Sequence, residues 1–499
     1  MSAVDSPRIS ASASLYGSGL ALIGAVIVAG LVRPLLTLGR FVPLDPNEGW
    51  NAFFEQVAMR GGELYPAPGS LIINNYPPLS FYIVGLAGRL TGDNIFAGRF
   101  VALASMAIVA LNLYAWLRSS GSSARIAWLG AGLFAAFALT WGQYYVGMND
   151  PQWLAHAIMT TGVLVIWRGK ASTRAIVLGS LLILAGGWTK HLLIPLPIAT
   201  TWWLMRRSKS AFITWIVCSS LLLALIAVIV WWLYGPAFFE SLPSARAYSV
   251  HQAIKATRKV LKVFAPIIAL SLCLLPHAFR SERNEFALVY LLTAGVVAFG
   301  ASGGFGVDIN AFFDLMIAAS LCAALAVEEL WSRRLPGIAR PITLGPVLIL
   351  LLGVYLGVYA ASLMPKTWAE IRNLDGLEKE TQLEVRLIAD KGQGRAACEV
   401  PDLCYWAHQQ FTLDYFNFGQ RLIVGKEPLT ECDSIFDGKQ LPILQVEHYK
   451  GGFGSGQLPP ACNLVIRRNY RVIAQSELGF ILVPSQGPFA DEGDTQTLR

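Results

Sequence analysis

The stretch PLDPNEGWNAFF, residues 43–54, places two carboxylates three positions apart, just after a long apolar run. Asp45, Pro46 and Glu48 match the start of a helix, with aspartate at the N-cap, proline at N1 and glutamate at N3. The apolar residues that follow have helical spacing, which predicts an amphipathic helix at a membrane interface: Trp50, Phe53, Phe54, Val57 and Ala58. The same carboxylates would also suit chemistry at the membrane face, so the rest of the sequence has to separate the two interpretations.

Composition excludes a soluble globular protein. Of 499 residues, 54% are hydrophobic and only 14% are charged, and the mean hydropathy is +0.50. Soluble domains are charged at about a quarter of their positions. Apolar runs of about 20 residues recur, and each can cross a bilayer as a helix that satisfies its own backbone. The sequence therefore predicts an all-α polytopic membrane protein, and the net charge of +7 requires no nucleic acid partner.

Eleven segments are predicted to span the membrane: 16–38, 97–117, 126–146, 151–167, 175–189, 191–205, 211–234, 260–279, 286–301, 311–331 and 342–363. The first is interpreted as a retained span, since no cleavage site follows it. Alternate connectors carry the basic residues: Arg118, Arg125, Arg168, Lys170, Arg174, Arg206, Arg207, Lys209, Arg280, Arg283, Arg333, Arg334 and Arg340. The positive-inside rule then places these connectors and the N-terminus in the cytoplasm. The long loop 39–96 and everything after residue 363 lie on the other side.

The C-terminal segment, residues 366–499, is predicted to be a small extracytoplasmic α+β domain that follows a transmembrane domain of residues 1–365. Helical spacing covers 367–390, and three segments have strand character: LPILQVE (441–447), NLVIRR (463–468) and FILVPS (480–485). Four cysteines fall in this segment, which suggests two disulfides outside the cytoplasm. Three pairings are open, and we favour Cys398–Cys404 with Cys432–Cys462.

The order of motifs resembles that of a known family. After the acidic stretch come YPPLSFY (76–82), AGRFVALAS (97–105), YYVGMNDPQWLAHA (144–157) and GGWTKHLLIPLP (186–197). This order is similar to the GT-C membrane glycosyltransferases, in the family 39-like branch with protein O-mannosyltransferases and aminoarabinosyl transferases. It covers roughly residues 15–205, with a weaker echo at 303–321. The resemblance implies a GT-C fold of about 11 transmembrane helices, with interfacial helices in the first outer loop.

The resemblance also implies an activity. Such enzymes transfer a sugar, with inversion, from a polyprenyl-phosphate carrier to an acceptor outside the cytoplasm. The expected partners are that donor, membrane lipid and an envelope acceptor, which is a glycolipid, a polysaccharide or a protein. The expected location is a bacterial inner membrane, with the C-terminal domain in the periplasm. The position of that domain, and not the resemblance, suggests that it takes part in acceptor selection. A transporter or flippase for lipid-linked glycans, and a membrane-anchored binding protein, are the alternatives.

The family has adjacent Asp-Glu in the first loop, where this chain has Asn47-Glu48. We therefore place the catalytic base at Asp45, with Glu48 as the alternate. Candidate substrate-binding residues lie in the other outer segments: Asn75, Tyr76, Asp150, Lys190, His191, Arg246, Lys255, Asp308 and Asn310. Asp150 would act directly or through a divalent metal, and no other cofactor is expected. Helix capping, snorkelling and lipid headgroup contact are the competing interpretations for these acids and bases.

Overall fold

The computed structural model describes residues 11–67, 69–334, 342–449, 452–486 and 496–498, so that Arg340 lies outside the described residues. The helices are α1 (Ala11–Thr37), α2 (Pro46–Arg60), α3 (Leu79–Thr91), α4 (Asn94–Ser119), α5 (Ala124–Thr140), α6 (Gln152–Arg168), α7 (Thr173–Gly187), α8 (Pro195–Arg207), α9 (Lys209–Ser241), α10 (Val250–Leu272), α11 (Glu282–Ala301), α12 (Phe313–Leu330), α13 (Leu344–Lys391), α14 (Pro401–Trp406), α15 (Tyr415–Ile423), α16 (Glu431–Ile435) and α17 (Pro460–Asn469). The polytopic helical fold predicted from composition is confirmed.

Each of the eleven predicted spans overlaps one helix, but the helices differ in their exposure to lipid. In the described part of the chain, six are long and apolar enough to cross a membrane: α1, α4, α9, α11, α12 with the turn before it, and α13. The other five, α5 to α8 and α10, are shorter or more polar. Thirteen of the 17 residues of α5 are buried against α1, α4 and α12, so this helix is shielded from lipid by its neighbours.

The centre of the bundle is α12, and 83% of its apolar window is buried. Small residues allow this close packing, because helices associate in membranes through backbone approach rather than through hydrophobic burial. The alanines concerned are Ala318, Ala319, Ala323, Ala324 and Ala326, each at 0% exposure. This closely packed centre positions the helix ends from which the loops with the candidate site residues extend.

Helix α2 begins where the sequence predicts. Asp45 is the N-cap and accepts the backbone N–H of Asn47, Pro46 opens the first turn, and Gly61 ends the helix with a φ of 72°. The surroundings differ from those of a simple interfacial helix, because all eight residues from Glu48 to Glu55 are buried. One side of α2 contacts α3 and α4, and another contacts α14 of the C-terminal region. Helix α2 is thus enclosed between the bundle and the C-terminal region.

Gly49 allows α2 and α14 to touch. A Cβ at this position would collide with the backbone nitrogen of Asp402 and the carbonyl carbon of Pro401. We expect Gly49→Ala to destabilise the protein by about 1–3 kcal/mol, because two backbones cannot yield as a side chain does. The midpoint of thermal unfolding should fall, whereas Gly24→Ala in α1, which meets nothing within 4 Å, should leave it unchanged. Equal midpoints for both variants would contradict the packing of α14 on α2.

The C-terminal region is built on a five-stranded sheet of order β1-β2-β6-β5-β7. The strands are β1 (Ala396–Cys398), β2 (Ile443–Val446), β3 (His448–Tyr449), β4 (Gly452–Phe453), β5 (Tyr470–Ser476), β6 (Gly479–Pro484) and β7 (Gln496–Thr497), with β3 and β4 forming a separate pair. The predicted strands at 441–447 and 480–485 are present as β2 and β6. Helix α13 continues without a break through residue 366, so the helix joins the bundle to this region.

The segment NLVIRR, predicted as a strand, lies instead in α17, so that prediction is wrong. Pro460 opens this helix at its first turn, a position that favours proline. Cys462 and Ile466 are four residues apart and both are fully buried, which is helical rather than strand spacing. Leu464 between them is exposed. The short apolar run NLVI is by itself typical of a strand, whereas the proline before it favours a helix start.

Both favoured disulfides are present, Cys398–Cys404 and Cys432–Cys462. The first closes a loop of six residues beside the start of α14, and the second joins α16 to α17. Cys218, Cys273 and Cys322 are free thiols.

Candidate active site

A cavity of about 330 Å³ lies between the start of α2, four loops of the bundle and the C-terminal region. From the bundle side it is lined by Asp45, Pro46, Asn47, Trp50, Asn75, Tyr76, Tyr145, Asp150, Arg246, Gly306, Asp308 and Asn310. From the C-terminal side it is lined by Cys398, Glu399, Pro401, Phe411, Leu413, Asp414, Tyr415, Phe416, Asn417, Glu447 and Gln457. Seven of the predicted site residues therefore meet at one cavity: Asp45, Asn75, Tyr76, Asp150, Arg246, Asp308 and Asn310.

Asp45 is held at the cavity wall by its role as helix cap. Its Oδ1 accepts the backbone N–H of Asn47 at 2.9 Å and the side-chain amide of the same residue at 2.7 Å. Burial, together with the charges of Glu48 and Asp150, raises the pKa of Asp45 to about 6, against the hydrogen bonds from Asn47. A carboxylate with that pKa is ionised at neutral pH and is a better base than an ordinary aspartate.

Asp150 and Lys190 form a buried ion pair beside Asp45. Lys190 Nζ lies 3.5 Å from Asp150 Oδ2 and 3.5 Å from the centre of the Tyr76 ring. Lys190 does not line the cavity itself, but Tyr76 and Asp150 do, so the ammonium group lies directly behind the wall. The predicted helix-cap interpretation of Asp150 also has support, since Asp150 Oδ1 accepts the N–H of Gln152 at 2.8 Å.

Arg246 provides the positive charge of the cavity surface. Its Nε donates to Ser244 Oγ at 3.2 Å, and its guanidinium lies 5.3 Å from the Phe416 ring centre. Ser244 Oγ also accepts the side-chain amide of Asn75 at 3.0 Å. The loop before α10 is thereby tied to the loop before α3, which fixes the guanidinium at the cavity.

Glu48 lies behind the cavity, in a different role. It is fully buried and forms an ion pair with Arg99, with Glu48 Oε2 at 2.6 Å from Nη2 and Oε1 at 2.8 Å from Nε. Oε1 also accepts the backbone N–H of Asn149 at 3.0 Å. Both oxygens are thus engaged in hydrogen bonds, and Glu48 does not line the cavity. Glu48 fixes the position of the loop that carries Asp150.

The remaining predicted residues lie away from the cavity. Lys255, on the first turns of α10, is exposed, and His191 is an exposed neighbour of Lys190. No group of three or more His, Cys, Asp or Glu side chains in the described residues could hold a metal ion. Asp150 with Asp45 and Asp308 therefore does not form such a group.

The C-terminal wall contains functional candidates that the sequence reasoning missed. Asp414 caps α15, and its carboxylate also accepts the indole N–H of Trp50 at 3.0 Å and the side-chain amide of Asn417 at 2.7 Å. Tyr415, Phe416 and Asn417 follow it in the chain. The sequence signal was present in the polar-aromatic run FTLDYFNFG (411–419), but nothing local indicates that it faces residue 50.

The architecture matches solved membrane proteins. The crystal structure of ArnT from Cupriavidus metallidurans in the apo state has a TM-score of 0.63 to this chain at 13% identity, over 93% of this chain and 99% of ArnT. The same protein bound to undecaprenyl phosphate gives a TM-score of 0.60 at 15% identity, over 96% and 99%. The chain has the ArnT-like GT-C fold. The oligosaccharyltransferase of Archaeoglobus fulgidus, at 10% identity and a TM-score of 0.48, covers 80% of this chain and 64% of its own.

No protein-family model matches the chain, and no curated protein matches it at the level of sequence. The GT-C fold predicted from the motif order is therefore confirmed by structure alone, at an identity where sequence comparison finds nothing. In this GT-C fold the cavity lies at the junction of the helical bundle and the C-terminal region. The first outer loop, with Asp45, forms one of its walls.

Proposed function

We propose that the protein is an inverting glycosyltransferase that moves a sugar from a polyprenyl-phosphate carrier to a hydroxyl of an envelope acceptor. The observation that carries this proposal is the placement of the Asp45 carboxylate and the Arg246 guanidinium on one cavity, with Lys190 directly behind its wall. A base and a site for a leaving phosphate are the two requirements of such a transfer. The ArnT structure with bound undecaprenyl phosphate supports this choice of donor.

The reaction that we propose has one displacement step. Asp45 accepts the proton of the acceptor hydroxyl as its oxygen bonds to the anomeric carbon of the sugar. The bond between that carbon and the phosphate oxygen breaks on the opposite face, and its electron pair leaves with polyprenyl phosphate. Attack opposite to the leaving group inverts the anomeric centre, as in inverting glycosidases. Phosphate is already a good leaving group, so the proposal needs no general acid.

Positive charge at the cavity suits the phosphate that departs. Arg246 is fixed by Ser244, and its planar guanidinium can bind two phosphate oxygens at once. Lys190 is buried, with Asp150 as its ion-pair partner. Its ammonium group adds a fixed positive charge to the electrostatic potential at the cavity. Such fixed charges stabilise developing negative charge because they do not reorganise during the reaction. We assign the phosphate contact to Arg246, with Lys190 in support.

The membrane orientation is part of the proposal. The two disulfides support a C-terminal region outside the cytoplasm, and the basic connectors support a cytoplasmic N-terminus. The cavity, which that region lines, would then open on the extracytoplasmic side of a bacterial inner membrane. A lipid-linked donor would reach it from the outer leaflet.

The direct test is transfer of radiolabelled sugar from a panel of polyprenyl-phosphate sugars, with the purified protein in nanodiscs and extracted envelope acceptors. We expect labelled product from at least one donor, with release of polyprenyl phosphate in equal amount. The product should have the opposite anomeric configuration to the donor. Movement of intact donor across the bilayer without release of polyprenyl phosphate would replace the proposal with the flippase alternative.

The pH dependence follows from the pKa of Asp45. Since burial raises that pKa to about 6, the carboxylate is protonated below this value and cannot accept a proton. We therefore expect kcat/KM for transfer to rise about tenfold per pH unit below pH 6 and to level above pH 7. Rates at six or more pH values, with protein stability checked at each, measure this profile. A rate that stays constant from pH 5 to pH 8 would contradict Asp45 as the base.

A further inference from the structure

The charge on the cavity surface is strongly unequal. Among its lining residues six are acidic, Asp45, Asp150, Asp308, Glu399, Asp414 and Glu447, and one is basic, Arg246. Three of the acids come from the C-terminal region, which contributes no basic residue to the wall. In a cavity of low dielectric, like charges repel strongly. The C-terminal wall thus offers a ligand carboxyl groups and no basic side chain that would pair with a phosphate or a carboxylate.

Two of these acids are held in place by hydrogen bonds. Glu399 accepts Ser455 Oγ at 2.7 Å and the backbone N–H of Glu447 at 2.9 Å, and Asp414 accepts the Trp50 indole. Glu447 is only half-buried, and desolvation raises its pKa above the usual range for glutamate. Glu447 lines the cavity, so its carboxyl group can accept a hydrogen bond from a ligand there.

The same wall carries polar atoms without partners. Tyr415 and Asn417 line the cavity and are 3% and 5% exposed. Tyr415 Oη and Asn417 Oδ1 have no hydrogen-bond partner among the residues that the structure describes. Buried polar atoms are rarely left unsatisfied, and such atoms beside a cavity point to a ligand that satisfies them. One can donate and the other can accept, as a hydroxyl-bearing ligand requires.

Aromatic rings complete this part of the cavity. Trp50, Phe411 and Phe416 line it, and Phe411 is stacked on Phe53 of α2 at a centroid distance of 4.9 Å. A site of apolar faces with a few fixed polar groups holds an uncharged ligand in a single orientation. Neutral sugar rings have this combination, with apolar C–H faces and hydroxyl edges.

We propose that the C-terminal wall is the acceptor subsite and that the acceptor is an uncharged carbohydrate rather than a phosphate- or carboxylate-bearing group. Tyr415, Asn417 and Glu447 would bind its hydroxyls, and the rings of Phe411 and Phe416 its apolar faces. This inference rests on the proposed function in one respect, which is that the bound glycan is taken to be the acceptor of the transfer. The binding of a neutral glycan can nevertheless be measured without any donor. It assigns the choice of acceptor to the region that follows α13.

The test measures binding by saturation-transfer NMR to the full-length protein in nanodiscs. The neutral probes are maltose, lactose and trehalose, and the anionic probes are glucose 1-phosphate and glucuronic acid. We expect at least one neutral probe to bind about tenfold more tightly than either anionic one. Tyr415→Phe should weaken that binding by roughly three- to tenfold, the effect of one hydrogen bond, with no loss of thermal stability because the hydroxyl has no protein partner.

The matched control is Tyr470→Phe. Tyr470 is a second buried tyrosine of the same region, but its hydroxyl donates to the carbonyl of Leu441 at 3.0 Å, and it does not line the cavity. Tyr470→Phe should lower thermal stability and leave probe binding intact. Glu447→Gln should reduce the preference for neutral over anionic probes.

Three results would overturn the inference: tighter binding of the anionic probes, unchanged binding in Tyr415→Phe, or no binding of any neutral probe at 50 mM. Its failure and that of the proposed function are distinguishable. If the binding results are as expected but no polyprenyl-phosphate sugar is consumed, the glycan site stands and the transferase proposal fails. If donors are consumed and the Tyr415→Phe protein binds the probes like the wild type, only the subsite is refuted.

Discussion

Asp45→Asn is expected to lower the rate of sugar transfer by about 10²–10⁴-fold, the usual contribution of a general base. The substitution removes the proton acceptor but preserves the structure, because asparagine caps a helix as well as aspartate does. The Oδ1 atom of asparagine can still accept the backbone N–H of Asn47. The loss should therefore appear in kcat, with the KM for the donor and the thermal midpoint close to wild type.

Asp93→Asn is the matched control for this variant. Asp93 caps α4 by accepting the N–H groups of Ile95 and Phe96, and it also accepts the indole N–H of Trp406. Like Asp45, it caps a helix, and it also contacts the C-terminal region. Because it lies outside the cavity, it takes no part in the proposed reaction. This control should lose some stability and retain transfer within a fewfold of wild type. A wild-type kcat in Asp45→Asn would exclude Asp45 as the base and leave Glu48 as the candidate.

The sequence was informative about the bundle because hydropathy is a local property. Each of the predicted spans overlaps a helix, and the span that ends at residue 234 stops at the kink of α9, where Gly235 has a φ of 63° before Pro236. The number of helices that are long and apolar enough to cross a membrane was less predictable. Burial of α5 inside the bundle depends on neighbours that no local window contains.

The bundle half of the cavity was predictable for a similar reason. Asp45, Asp150 and Asp308 each follow the outer end of a predicted span, so the topology alone brings them to one side. The C-terminal half was not predictable, because Asp414 and Trp50 are 364 positions apart and no pattern links them. The role of Glu48 was equally hidden, since nothing in the motif AGRFVALAS (97–105) marks its partner Arg99 as a buried charge.

The second large effect concerns this buried pair. Arg99→Met should destabilise the protein by about 3–5 kcal/mol, the cost of leaving one partner of a buried ion pair uncompensated. Arg99 is 1% exposed and Glu48 is 0% exposed. The guanidinium also donates to the carbonyls of Thr37, Arg40 and Val42 at 2.6–2.9 Å. One side chain thus joins the end of α1, the loop before α2, and α4, and methionine satisfies none of these acceptors.

A double-mutant cycle separates the pair from the catalytic site. Glu48→Gln also leaves a buried charge without its partner and turns an amide N–H toward N–H donors, so it should destabilise the protein by a comparable amount. The double variant should be more stable than either single variant, because no unpaired charge remains buried. Thermal midpoints and the yield of monodisperse protein measure the cycle, and transfer rates per folded molecule measure catalysis. The amide oxygen that remains in Glu48→Gln can still accept the N–H of Asn149, which precedes Asp150 in the loop. This variant should therefore retain most activity per folded molecule. A Glu48→Gln protein that is stable but loses transfer as completely as Asp45→Asn would make Glu48, rather than Asp45, the base.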